Sequence, residues 1–172
     1  LENGVMTSLD SLSQLELFGE VCNQMEIAPE NRKCAVRINP GVGAGHHEKV
    51  VTGGKKTKFG IAEYSIPQIF EIAEKYQITI AGINQHIGSL FMDPQPYLDA
   101  VTNLLRIAHQ FKNLEFIDFG GGYGIPYHKL DDEKDFPMED FKSRLEPILD
   151  EFVASYGKAP LFKSEPGRYC VA

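Results

Sequence analysis

Hydrophobic positions change period repeatedly along the chain, short β-like runs alternating with longer stripes at helical spacing. Val5–Leu9 reads as a short strand. Ser11-Leu12-Ser13-Gln14 then has the Ser-x-x-Gln form of a capping box. Leu12, Leu15, Phe18, Cys22 and Met25 follow on one helical face, and Cys34–Ile38 is a second strand. Asn39–Gly60 reads as a long loop rich in Gly and Lys. Ser65-Ile66-Pro67-Gln68 repeats the capping pattern, with Pro tolerated in a first turn, and Ile69, Phe70, Ala73 and Tyr76 form the apolar face that follows. Ile78–His86 is a third strand, Gln95–Phe111 a helix with Val101, Leu105 and Ala108 on one side, and Leu114–Phe119 a fourth strand. Phe141, Leu145, Ile148, Leu149, Phe152 and Tyr156 mark a last long helix, ended by Gly157 and expected to kink or break at Pro147. Leu161–Glu165 is the fifth strand.

Such alternation predicts an α/β fold: a parallel sheet of five strands, four packed helices and right-handed crossovers. The 172 residues suit one domain, and 42% hydrophobic with 24% charged residues is ordinary globular composition. A net charge of −7 argues against nucleic acid and anionic membrane as partners. No apolar run approaches the roughly 20 residues of a membrane span. Cys22, Cys34 and Cys170 form no CxxC pair and read as reduced thiols of a cytoplasmic protein.

In parallel α/β folds ligands gather at the C-terminal ends of the strands. The chemically distinctive residues fall there in succession: Arg37-Ile38-Asn39-Pro40-Gly41, His86-Ile87-Gly88-Ser89, Gly120-Gly121-Gly122-Tyr123-Gly124 and Glu165-Pro166-Gly167-Arg168. The triple glycine lets backbone N–H groups close around a phosphate, though a plain strand-to-loop turn has the same composition. Ile125 stands where a dinucleotide fingerprint needs its third Gly. The flat ring of His86 is suited to stacking on a planar cofactor, or is a structural histidine. Ser89 is placed to donate to a phosphate. A carboxylate at Glu165 is suited to holding a pyridine nitrogen protonated, or to pairing with Arg168. Arg37 lies on an apolar strand, where a charge needs a partner, which favours an anion inside the fold. His46 and His47 are adjacent on a loop without supporting ligand spacing, so no metal site is expected. Lys55, Lys56, Lys58 and the acidic run Asp131-Asp132-Glu133 read as solvated loop faces.

Together these strand ends resemble the family of decarboxylases dependent on pyridoxal 5′-phosphate (PLP) that act on diaminopimelate, ornithine and arginine. The matching stretches are Ser8–Leu15, Arg37–Gly41, Thr52-Gly53-Gly54 with Lys58-Phe59-Gly60-Ile61, Gly82–Ser89, Gly120–Tyr127 and Glu165–Arg168, in family order over nearly the whole chain. The resemblance implies a TIM-type (β/α)8 PLP-binding barrel with an alanine-racemase-like fold, of which residues 1–172 are the C-terminal part, about strands four to eight. It implies that Gly120, Gly121, Gly122 and Ser89 bind the cofactor's phosphate, that His86 stacks on the ring and that Glu165 pairs with its nitrogen. Arg168 would lie near the phosphate and the substrate's distal carboxylate, and Arg37 beside the cofactor. His86 and Glu165 would be the catalytic pair. The Gly-His-x-x-Lys loop before Thr52-Gly53-Gly54 leans towards the diaminopimelate branch, hence conversion of meso-diaminopimelate to lysine by a homodimeric parent enzyme. An ornithine or arginine decarboxylase and a non-catalytic barrel-derived binding protein are the alternatives. Asn84 replaces a usual His, and Leu90 a usual small or polar residue. The family's cofactor-attaching lysine on an early strand and its C-terminal β domain have no counterpart in this sequence. The chain alone is therefore expected to be inactive, and its open barrel to expose a large apolar face and to self-associate.

Overall fold

Strands and helices alternate as the apolar pattern requires. The computed structural model describes residues 5–39, 41, 59–127 and 134–171. In chain order these form β1 (Ser8–Leu9), α1 (Leu12–Gln24), β2 (Lys33–Asn39), β3 (Ile61–Ala62), α2 (Ile66–Tyr76), β4 (Thr79–Asn84), α3 (Gln95–Ala108), β5 (Phe116–Asp118), α4 (Met138–Tyr156), β6 (Leu161–Lys163) and α5 (Gly167–Val171), with short 3-10 turns at Pro29–Asn31 and Glu63–Ser65. Most of the expected Asn39–Gly60 loop, including His46, His47 and the three lysines, lies outside the described residues, as does Asp131-Asp132-Glu133.

All strand pairs are parallel, and the sheet runs β1-β2-β4-β5-β6 with β3 attached to β2. β1 and β6 are its edges, where Val5, Met6 and Leu161 are exposed. The register sorts the side chains into rows. Leu9, Val36, Ile83, Ile117 and Phe162 align across the five strands. The first four are buried, so this row faces the helices and carries much of the core; burying one such aliphatic side chain stabilises by about 1.5–3 kcal/mol. On the opposite face Ser8, Ala35, Gly82, Phe116 and Leu161 align, and one pleat further along Arg37, Asn84, Asp118 and Lys163 do. A Cβ on Gly82 would lie 2.3 Å from the Phe116 ring, so that ring fills the space above a bare backbone. The expected apolar inner face is thus qualified: one row is small on β1, β2 and β4 and apolar at Phe116 and Leu161, and the next row is polar.

Several local expectations hold. Ser11 Oγ accepts from the Gln14 N–H at 3.3 Å and caps α1, although the Gln14 side chain takes the N–H of Asp10 rather than that of Ser11. Leu15, Phe18, Gly19 and Cys22 are the buried face of α1. Gly157 ends α4 with φ +83°. Others need correction. Ser65 makes no cap, because the Glu63–Ser65 turn runs straight into α2 and the Ile66 N–H is taken by the Glu63 carbonyl. α4 continues through Pro147 as an unbroken helix. The donor that Pro147 lacks would have served Ser143, and both residues face solvent, where water can satisfy the freed carbonyl. β3, with two residues, and α5, with five, were not anticipated. β1, β4, β5 and β6 are shorter than the apolar runs that announce them, and β2 is one residue longer at each end. Pairing nevertheless persists past their ends through Phe119 N to Lys163 O and Glu165 N to Gly120 O, both at 3.0 Å.

Candidate functional site

The polar row at the C-terminal end of the sheet is the floor of the site. Arg37 lies near the C-terminal end of β2 and reaches Asp10 in the loop after β1, Nη1 to Oδ1 at 3.3 Å, with its guanidinium 5.2 Å from the Phe59 ring centroid. Asp10 Oδ2 also accepts from the Gly60 N–H at 3.2 Å. The charge on β2 therefore has an anion, and it is the protein's own carboxylate. Asn84 ends β4 and accepts from Ser8 Oγ at 2.6 Å. Asp118 ends β5, and its Oδ1 accepts from the Gly120 N–H at 2.9 Å, bending the chain into the glycine loop.

The three glycines are needed because backbone approaches them from two sides. A Cβ on Gly121 would lie 1.8 Å from the Glu165 carbonyl oxygen, and one on Gly122 would lie 2.1 Å from that of Gly88. Gly120 and Gly122 also have φ +73° and +107°, which favours Gly. The β4–α3 loop, the β5–α4 loop and the end of β6 thus meet at Gly120–Gly122. Gly121 N–H points at His86 Nδ1, 3.4 Å away, so that this nitrogen acts as acceptor. Burial lowers the pKa of His86, the Arg37 charge lowers it further and Asp118 opposes both. Burial raises the pKa of Glu165, Asp118 raises it further and Arg37 opposes them. The same two charges act on both groups from the floor of one cleft.

Arg37, His86, Gly120, Gly121, Gly122 and Glu165 therefore converge. Ser89 follows Gly88 in the loop that abuts Gly122 and is half-buried. Arg168 is exposed in the first turn of α5; its Nη1 donates to the Tyr127 hydroxyl, and it forms no ion pair with Glu165. Sequence reasoning missed Asp118, although its signal was present: a carboxylate breaking an apolar strand at the same height as Arg37 and Asn84. It also missed Tyr97, Tyr123 and Ser164, whose hydroxyls lie behind the loop around the Gly120 carbonyl. Among the described residues no group of three or more His, Cys, Asp or Glu could hold a metal ion, and no helix is long and apolar enough to cross a membrane.

Comparison with known proteins agrees with this fold. The family described as "Pyridoxal-dependent decarboxylase, pyridoxal binding domain" matches residues 1–172. A diaminopimelate decarboxylase of Methanothermobacter thermautotrophicus is 40% identical over 99% of the chain and 40% of its own length. One from Archaeoglobus fulgidus is 32% identical over 98% of the chain and 40% of its length. The crystal structure of diaminopimelate decarboxylase from Helicobacter pylori complexed with L-lysine superposes with a TM-score of 0.82 at 26% identity, covering 97% of this chain and 41% of that one. The chain thus spans about 40% of the length of the curated relatives it matches.

Proposed function

We propose, for a chain that belongs to the pyridoxal-dependent decarboxylases through their pyridoxal-binding domain, that this part of the barrel holds PLP for the decarboxylation of meso-diaminopimelate to lysine. The reaction is assigned to the longer protein, in which residues 1–172 would be the C-terminal part of the barrel, about strands four to eight. The observation that carries the reading is Gly121, which touches both a ring-bearing residue and the acid: its N–H meets His86 Nδ1, and its α-carbon lies against Glu165. A cradle that any Cβ would fill, a flat imidazole at its amide and the main chain of an acidic residue packed against it suit a phosphorylated pyridine.

The residues divide the work as follows. The amide of Gly120 is committed to Asp118, while that of Gly121 meets His86 Nδ1 only at 3.4 Å, a long contact that a phosphate oxygen would replace; the amides of Gly121 and Gly122, with the Ser89 hydroxyl, are the donors proposed for the phosphate. His86, with its lowered pKa, offers a neutral ring face for stacking. Glu165 holds a proton at the ring nitrogen, and its raised pKa makes it the stronger hydrogen-bond acceptor for that proton. When bound, the cofactor supplies an electron sink for the pair left as CO2 departs. Arg37, tied to Asp10, sets the charge background at the floor of the cleft. Arg168 would reach the phosphate or the substrate's distal carboxylate only by leaving Tyr127. His86 and Glu165 are thus proposed as the catalytic pair, and an amino acid as the substrate. A homodimer in the cytoplasm is the proposed state of the longer protein.

Two measurements test the reading. Isothermal titration of the 172-residue chain should show PLP binding more tightly than pyridoxal. The full-length protein should release CO2 from meso-diaminopimelate; release from ornithine or arginine instead would overturn the substrate assignment.

A further inference from the structure

We infer that the hydroxyls of Tyr97, Tyr123 and Ser164 set the orientation of the Gly120–Gly121 peptide and thereby aim the Gly121 N–H into the cleft. The ligand named below rests on the proposed function; the peptide geometry does not.

The Gly120 carbonyl oxygen accepts from three donors: Tyr97 Oη at 3.1 Å, Ser164 Oγ at 3.0 Å and the Glu165 N–H at 3.0 Å. Tyr123 Oη donates to Tyr97 Oη at 2.9 Å and lies 2.9 Å from Ser164 Oγ, so it ties the two hydroxyls together. Tyr97 and Tyr123 are buried within an aromatic cluster that includes Phe91, Phe136 and Phe141. Burial pushes both phenols above the ordinary tyrosine value, Tyr97 far above it, so they remain protonated donors at physiological pH.

A peptide unit is planar and trans, so the C=O of one residue and the N–H of the next point in opposite directions. Holding the Gly120 oxygen inward, among the hydroxyls, turns the Gly121 N–H outward to His86 Nδ1. A peptide between two glycines is otherwise the easiest kind to flip, since neither residue carries a Cβ to forbid the alternative dihedrals. Flipping this one would break three hydrogen bonds and leave the buried Tyr97 hydroxyl without an acceptor, a cost of about 1–3 kcal/mol. The Glu165 main chain hangs from the same oxygen. One carbonyl therefore anchors both the amide proposed to meet the phosphate and the acid proposed to meet the ring nitrogen. Tyr97, Tyr123 and Ser164 are positioning residues; they act through Gly120.

The test uses Tyr97→Phe, Ser164→Ala and the double variant of the 172-residue chain. Hydrogen exchange at the Gly121 amide, relative to Ile117 in β5, reports the peptide directly. Titration with PLP and with pyridoxal separates a phosphate effect from a general loss of structure. In the double variant, Gly121 exchange should rise about tenfold over that of Ile117 and the PLP dissociation constant should rise about tenfold, with pyridoxal binding unchanged. Unchanged relative exchange in the folded double variant overturns the inference, as does an equal loss for both ligands. If the double variant does not fold, Tyr97→Phe, which removes one oxygen, should give the same pattern at about threefold. A wild-type chain that binds neither ligand would sink the cofactor reading and leave exchange at Gly121 to decide the positioning.

Discussion

Gly121 and Glu165 are in such close backbone contact that a Cβ on residue 121 would stand 1.8 Å from the Glu165 carbonyl oxygen. No rotamer relieves this, because the atom met is main chain on a neighbouring strand end. Gly121→Ala should therefore separate the glycine loop from β6 and cost about 3 kcal/mol, the upper part of the range for overpacking. Gly167→Ala, where nothing lies within 4 Å of the added atom, is the control and should change stability by less than about 0.5 kcal/mol. Urea unfolding of the two variants decides; equal midpoints would show that the loop yields where the packing says it cannot.

That contact also marks how far the sequence could be read. The parallel order of the sheet and the meeting of His86, the glycines and Glu165 were legible, since period switches locate strands and parallel α/β connectivity puts all their C-terminal ends on one side. The reason for the glycines was only half legible. A phosphate cradle explains why backbone must be bare, but the Glu165 and Gly88 carbonyls that forbid a Cβ come from other loops. Arg37 announced that it needed an anion; Asp10, which supplies it, lies in the turn before α1 and carried no local signal. Tyr97 and Tyr123 carried no signal of their own, because their hydroxyl partners exist only after α3, the glycine loop and β6 have packed. β3 escaped because two residues have no period.

Gln85 follows the last residue of β4 and is fully buried, yet neither its Nε2 nor its Oε1 finds a hydrogen-bond partner. An unpaired buried amide costs about 1–3 kcal/mol. Gln85→Met keeps the length and removes the polarity, so the variant should be more stable than wild type by about 1 kcal/mol. A lower urea midpoint for the variant would mean that the amide is satisfied in solution, for example by an internal water.

The three thiols should differ sharply in reactivity. Cys34 is buried, and burial together with the neighbouring Cys22 pushes its pKa up to about 12; burial raises Cys22 as well. Cys170 is exposed in α5. Thiolate is the reactive form. A disulfide reagent at pH 8 should titrate Cys170 rapidly in the native chain, and Cys22 and Cys34 only after denaturant is added. Rapid release of more than one equivalent without denaturant would refute the packing of α1 against β2.

Arg106 on α3 clasps Glu63 in the turn before α2 with two bonds, Nη1–Oε1 at 2.7 Å and Nη2–Oε2 at 2.6 Å. Those hydrogen bonds hold the Glu63 carboxyl below its ordinary value of 4.5. A depressed acid contributes stability above its unfolded pKa and loses it as pH falls through the folded one. The difference in stability between wild type and Glu63→Gln should therefore be constant from neutral pH down to about 5, then shrink towards zero below the folded pKa. Its size is limited by solvent screening, because the side chains of Arg106 and Glu63 are 55% and 41% exposed; about 0.5 kcal/mol is expected, less in high salt. Parallel urea titrations of both proteins across that range measure it. A difference that grows as the pH falls would have the wrong sign for an ion pair and would assign the clasp to neutral hydrogen bonding alone.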